Sequence, residues 1–343
     1  MANKQNGAKL KTSSVQGKTR PSTLGLIIVL AMAFALYLLM MNLPTGESWL
    51  PYHEWAKKAP VNWFYKFLWF IGDFTEAQFH RNIFGSLGMW LFGGVAWFLH
   101  KRKSKLAGIP ICYGTGLWPW VFAASTLSLI LSDFVFDYVS ILATPRGEEI
   151  GWVPSFVPSV AMPVAVIFVY GGNWRNAITG AVLGGLIACP ISWFILDKFL
   201  FDWGISPLVS NTTSMWVGGI MVLEICRYLP WIKNPQEKGL EPPGKMNIPP
   251  PAGSPGWFVR RALADLTEGQ FYGSEVACIG LLAGGMISWF LNPGHPVYGS
   301  HLFPHVLLAQ FIGISVGIYL YFDQWVENGW YPTFVCAFST SPA

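Results

Sequence analysis

Charge is scarce in this sequence. Of its 343 residues, 12% are Asp, Glu, Lys or Arg, while 52% are hydrophobic and 16% aromatic. Soluble domains carry about a quarter charged residues, so a water-exposed globule is excluded as the main form. A bilayer is the fitting solvent, with a core of roughly 30 Å that takes about 20 apolar residues per helix. Cysteine chemistry is equally thin. Cys112, Cys189, Cys226, Cys278 and Cys336 each sit in an apolar run, without metal-ligand spacing, and are expected to be buried, inert thiols.

No phosphate loop is present: "GGNWRN" and "GAVLGG" lack the Lys-Ser/Thr ending and the preceding strand. Neither a nucleophile elbow nor a catalytic triad is visible. His301 and His305 share a helix face, but no H-E-x-x-H pattern and no cysteine pair joins them. No catalytic residue, metal or cofactor is therefore assigned, and the chain is not read as an enzyme. Asn211-Thr212-Thr213 has the form of a glycosylation acceptor.

What is present is a series of long apolar runs. Leu24–Leu43 carries no charge, is long for a signal-peptide core, and has no A-x-A-like site after it. It is expected to be an uncleaved first span. Further spans are expected at 83–99, within 109–131, and at 153–170, 177–196, 214–232, 276–291 and 302–322. That makes eight, plus a short apolar fragment at 331–343. The basic tail at residues 1–21 and the cluster "HKRKSK" (His100–Lys105) place the N-terminus and the loop after the second span in the cytoplasm. The tail is read as a disordered, topology-setting arm and not as a nucleic-acid binder. The expected location is a multi-pass protein of a prokaryotic inner membrane.

The polar phrase "DFTEAQFH" (Asp73–His80) returns as "DLTEGQFY" (Asp265–Tyr272). Aligned without gaps, residues 73–99 and 265–291 agree at ten of 27 positions, against roughly two for average composition. "EIGWVPSFV" (Glu149–Val157) similarly meets "ENGWYPTFV" (Glu327–Val335), with six of nine identical. An internal duplication follows. The first copy holds five spans, an odd number, so the second must enter from the opposite face. The predicted fold is an all-α polytopic membrane protein with an inverted repeat, a build common among secondary transporters. Its divisions are the tail (1–21), an N-terminal span with an interfacial segment (22–72), copy one (73–232), a Pro/Gly-rich cytoplasmic loop (233–257) and an incomplete copy two (258–343). A second subunit or another copy of the chain is one way to complete the second half.

Candidate contacts for a small solute or ion follow from this plan. Glu76 and Glu268, with Gln78 and Gln270, occupy equivalent places just ahead of a span. Each glutamate is either a helix-start device or part of a symmetry-related cation or proton site. Pro154, Pro158 and Pro163 remove amide donors from the fourth span. That stretch must be broken and buried, or must face a cavity, which makes Ser155, Pro158, Ser159 and Pro163 candidates. Glu224 and Arg227, three residues apart, are expected to pair internally. Gly180-x-x-x-Gly184, Gly280-x-x-x-Gly284 and Gly313-x-x-x-Gly317 are expected at close helix contacts. The reading is a secondary transporter or permease for a small solute or ion. The alternative is a non-transporting membrane subunit or scaffold.

Overall fold

The computed structural model describes residues 20–233 and 251–323. The basic tail, most of the Pro/Gly-rich loop, the second recurrence at 327–335 and the C-terminal fragment lie outside these residues. Among the described residues there is no strand; the fold is helical throughout.

In chain order the helices are α1 (Thr23–Asn42), α2 (Tyr52–Lys58), α3 (Trp63–Asp73), α4 (Ile83–Lys101), α5 (Trp118–Ile130), α6 (Pro145–Ile150), α7 (Val157–Val160), α8 (Met162–Tyr170), α9 (Trp174–Ile195), α10 (Pro207–Tyr228), α11 (Pro255–Asp265), α12 (Glu275–Leu291) and α13 (Phe303–Leu320). Five helical stretches are long and apolar enough to cross a membrane: α1, α4, α5 with its extension to Val135, α9 with its extension to Trp203, and α13. α12 is apolar but shorter, and α7–α8 form a second shorter apolar stretch. Leu24 on α1, Leu91 on α4, Leu186 on α9 and, on α10, Trp216 and Ile220 are all exposed. That surface suits lipid and would be costly in water.

Local sequence explains the ends. Ser22, Asn82, Asn173 and Ser274 cap α1, α4, α9 and α12 by accepting from the amides of Gly25, Gly85, Asn176 and Ala277. The proline-rich fourth segment is broken, as its composition demands. α7 lasts four residues, Ala161 leaves helical geometry (φ −126°, ψ −70°), and α8 begins at Met162. Neighbouring hydroxyls satisfy carbonyls freed there: Ser125 Oγ donates to the Ser159 carbonyl (2.8 Å) and Ser132 Oγ to that of Ser155 (2.7 Å).

Small residues set the packing. α9 lies on the broken segment, with Gly180 against the Pro163 backbone and Gly184 against the Pro158 carbonyl. α4 and α12 meet most closely of all. A side chain at Gly88 would strike the Gly280 carbonyl, one at Gly280 would strike that of Gly88, and one at Gly284 would strike that of Phe84. As numbers rise along α12 they fall along α4, so the two helices are antiparallel. Cys112, Cys189, Cys226 and Cys278 are free and buried.

Candidate functional site

The two D-x-T-E-x-Q-F stretches fold alike. Each closes a helix (α3 or α11), makes a single 3-10 turn (Glu76–Gln78 or Glu268–Gln270) and ends on a left-handed phenylalanine, Phe79 at φ 58° or Phe271 at φ 59°. Thr75 Oγ1 donates to the Gly72 carbonyl and accepts from the Asn82 amide (2.8 Å). Thr267 Oγ1 does the same with Ala264 and Ser274 (2.9 Å to the amide). The threonine thus ties the outgoing helix to the incoming one, which is why it accompanies the acids.

In both turns the carboxylates are buried against an arginine. Arg81 Nη1 donates to Asp73 Oδ1 and to Glu76 Oε2 (2.7 Å), and all three side chains are fully buried. Arg261 Nη2 donates to Asp265 Oδ1 (3.0 Å) and to Glu268 Oε1. The helix-start explanation of Glu76 and Glu268 is therefore incomplete, since each is also an ion-pair partner. The arginines do not occupy equivalent positions. In an alignment offset by 192 residues, Arg81 faces Gly273 and Arg261 faces Trp69. In the first copy that tryptophan stacks on the arginine, with the guanidinium carbon 3.6 Å from the ring centroid of Trp69.

The two turns touch. Gln78 Nε2 donates to Gln270 Oε1, and Gln270 Nε2 donates to the Phe74 carbonyl. Gln310 from α13 joins them: its Nε2 donates to the Gln78 carbonyl (2.6 Å), while its Oε1 accepts from His80 Nε2 (2.9 Å). Ser155 donates to Asp73 Oδ2 (2.7 Å) and accepts from Trp69 Nε1 (2.8 Å). Trp152 Nε1 donates to Glu76 Oε1 (2.7 Å). The structure therefore brings Glu76, Gln78, Gln270 and Ser155 into one buried network, with Glu268 in the adjoining cluster.

Ser159, Pro158 and Pro163 stand apart from it, at the α7–α9 contact, where Ser159 Oγ donates to the Phe156 carbonyl. Glu224 and Arg227 pair at 2.8 Å, as their spacing predicts, but with side chains 49% and 67% exposed. The expected internal location is corrected accordingly: they lie on the outside of α10. Asn211 is also unsuited to glycosylation, being buried and accepting from Ser192 Oγ (2.8 Å).

Sequence reasoning missed several members of this network. Arg81 and Arg261 escaped because they break the repeat. Tyr298 escaped although a signal was available: "CYGTGLWP" (Cys112–Pro119) and "VYGSHLFP" (Val297–Pro304) share Tyr, Gly, Leu and Pro, at a spacing shorter than 192. Both form left-handed turns, Cys112-Tyr113 at φ 49° and 56°, Val297-Tyr298 at φ 50° and 57°. They are exchanged between the motifs. The Val297 amide donates to the His80 carbonyl (2.8 Å), and the Cys112 amide to the Tyr272 carbonyl (2.7 Å). Asp133, buried beside Asp73 in the π-helical turn Leu131–Val135, also gave no sequence signal.

A cavity of about 560 Å³ opens beside the first turn, lined by Tyr52, Phe79, Trp152, Ile205, Asn211 and Tyr298, among others. Trp152 donates to Glu76 Oε1, so one of its walls rests on the ion-pair network.

Comparison with known proteins finds no protein-family model, no curated protein and no solved structure that matches the chain.

Proposed function

We propose that this chain is a secondary transporter or permease built from two inverted halves, with a translocation site where the halves meet. The observation that carries the reading is self-contact between equivalent residues. Gly88 and Gly280 are equivalent and face one another, as do Gln78 and Gln270. Equivalent points touch only on a two-fold axis. Because α4 and α12 are antiparallel, that axis runs across them, and hence in the plane of a membrane they cross. Gly88 and Gly280 are each the sixth residue of their helix. From the crossing, the helices run on in opposite directions for roughly 20 Å and 17 Å, together about a bilayer core. The two acid–arginine turns would then sit near the midplane, one opening outward and one inward. Buried charge at that depth is expensive and characteristic of transport pathways.

Under this reading the eight expected crossings remain: α10 and the shorter α7–α8 join α1, α5, α9 and α13, while α4 and α12 start near the midplane and run out to opposite faces, each crossing being completed by the chain that leads into its turn. The N-terminus is cytoplasmic, and the cavity beside Glu76 faces outward. Buried ion pairs add little net stability compared with apolar packing, so retaining two in lipid calls for a role beyond folding. A dry scaffold, the alternative, has no use for the cavity beside one of them.

The test is topological and functional together. Single cysteines at Leu106 and Trp203, both strongly exposed, are introduced after replacing the native cysteines. A membrane-impermeant maleimide should label position 203 from outside intact cells and position 106 only after permeabilisation. Labelling of both from one side removes the inverted arrangement. Purified protein in liposomes should also take up a metabolite from a screened panel when a proton or sodium gradient is imposed.

A further inference from the structure

We propose that the cavity beside Glu76 binds a small organic cation, a primary or quaternary ammonium, through an aromatic cage backed by the buried acidic network. Five aromatic side chains line it, Tyr52, Phe79, Trp152, Phe201 and Tyr298, and the Phe201 ring already carries a cation, the Arg146 guanidinium, 4.5 Å from its centroid. Aromatic faces attract ammonium groups, most strongly where water is excluded. Among the described lining residues there is no Lys, Arg, Asp or Glu; His53 is the basic side chain among them. The size of the cavity lies within the about 300–1,000 Å³ usual for small-molecule sites.

Buried carboxyls stand behind the cage. Trp152 hands its indole hydrogen to Glu76 (2.7 Å), which polarises that ring towards negative. Glu76 and Asp73 share the single Arg81, and Asp133 is a third buried carboxyl beside them. At the rim, Arg146 is held by Glu149 (2.8 Å), Asp197 (3.0 Å) and Asp202 (2.7 Å). Lys198 joins the same cluster through Asp197 (2.8 Å). Arg81 shows the same chemistry one layer deeper, its guanidinium lying over Trp69 and Trp55. Asn211, which accepts from Ser192, lines the cavity with Ser206 and His53 as polar side chains that can orient a hydroxyl or amide on the ligand. If the chain transports, as proposed above, this cavity is its outward-facing substrate site; the binding claim itself needs no transport.

The test uses the full-length chain in lipid nanodiscs, with radiolabelled choline as the probe and 3,3-dimethyl-1-butanol, its uncharged isostere, as the competitor. Choline should bind saturably and roughly tenfold or more tighter than the isostere, as desolvated cation–π contacts imply. Trp152→Leu should weaken choline binding. Because Trp152 also holds Glu76, Ile205→Trp is the second variant. It fills the cavity without removing a member of the ion-pair network, and should abolish binding at an unchanged melting temperature. No saturable choline binding, or equal affinity for the isostere, overturns the proposal. Choline binding unaffected by Ile205→Trp overturns its location. Binding without gradient-driven uptake keeps the cation site and removes the transport reading, whereas uptake of other solutes with no choline binding does the reverse.

Discussion

Gly88 and Gly280 stand backbone to backbone, each occupying the space where the other's Cβ would be. These glycines occupy matching positions of the two recurrent segments and, with Gly284 against the Phe84 carbonyl, let the two antiparallel helices meet backbone to backbone. A larger residue at either must push the helices apart, because the obstacle is a carbonyl and not a flexible side chain.

Gly88→Leu is expected to destabilise the protein by about 1–3 kcal/mol, the usual cost of overpacking, and by more if the turns separate. The control is Gly219 in α10, where an added Cβ meets nothing within 4 Å. Gly219→Ala should hold or raise stability, by up to about 1 kcal/mol of helix propensity. Thermal unfolding in one detergent, followed by circular dichroism, measures both; equal effects would dismiss the close contact.

Arg81→Met leaves Asp73 and Glu76 buried together without a cation. Breaking a buried pair from one side costs about 3–5 kcal/mol. The triple variant Arg81→Met, Asp73→Asn, Glu76→Gln should recover much of that loss, since no unpaired charge remains. Chemical denaturation of the two proteins side by side checks the order; a triple variant weaker than the single one would contradict it.

Ser155→Ala removes one hydroxyl that donates to Asp73 and accepts from Trp69. Leaving these buried partners unsatisfied costs about 1–3 kcal/mol. Ser159→Ala, whose hydroxyl makes only a local bond to the Phe156 carbonyl, should cost less. Their difference in melting temperature separates a network serine from a helix-turn serine.

Glu76→Gln and Glu268→Gln change charge with little change of shape. If the paired turns couple transport to an ion, each variant should lose gradient-driven uptake in liposomes while still folding and purifying. Full coupling in both variants would take these carboxylates out of the mechanism.

Much of this was legible along the chain. The helical ranges follow from the apolar runs, so α1 at Thr23–Asn42 and α4 at Ile83–Lys101 nearly coincide with expectation. The break at Ala161 follows from proline chemistry. The cations were not legible. A repeat exposes residues that are kept, whereas Arg81 and Arg261 supply the same charge from positions that differ. The exchanged tyrosine turns were hidden for another reason: their spacing departs from 192, so a gapless comparison passes over them.

Composition and periodicity alone determined that the chain is helical and suits a bilayer, because solvent preference is a sum over residues and needs no partner. The recurrent phrase also determined that two turns share one local shape, because a threonine and a left-handed phenylalanine fix it within a few residues. Which guanidinium neutralises which carboxylates, how Gln78 meets Gln270, and where the aromatic walls leave a cavity were decided only by tertiary packing. Those contacts join groups far apart in the chain, and a buried charge is satisfied by whatever lies within a few ångströms of it.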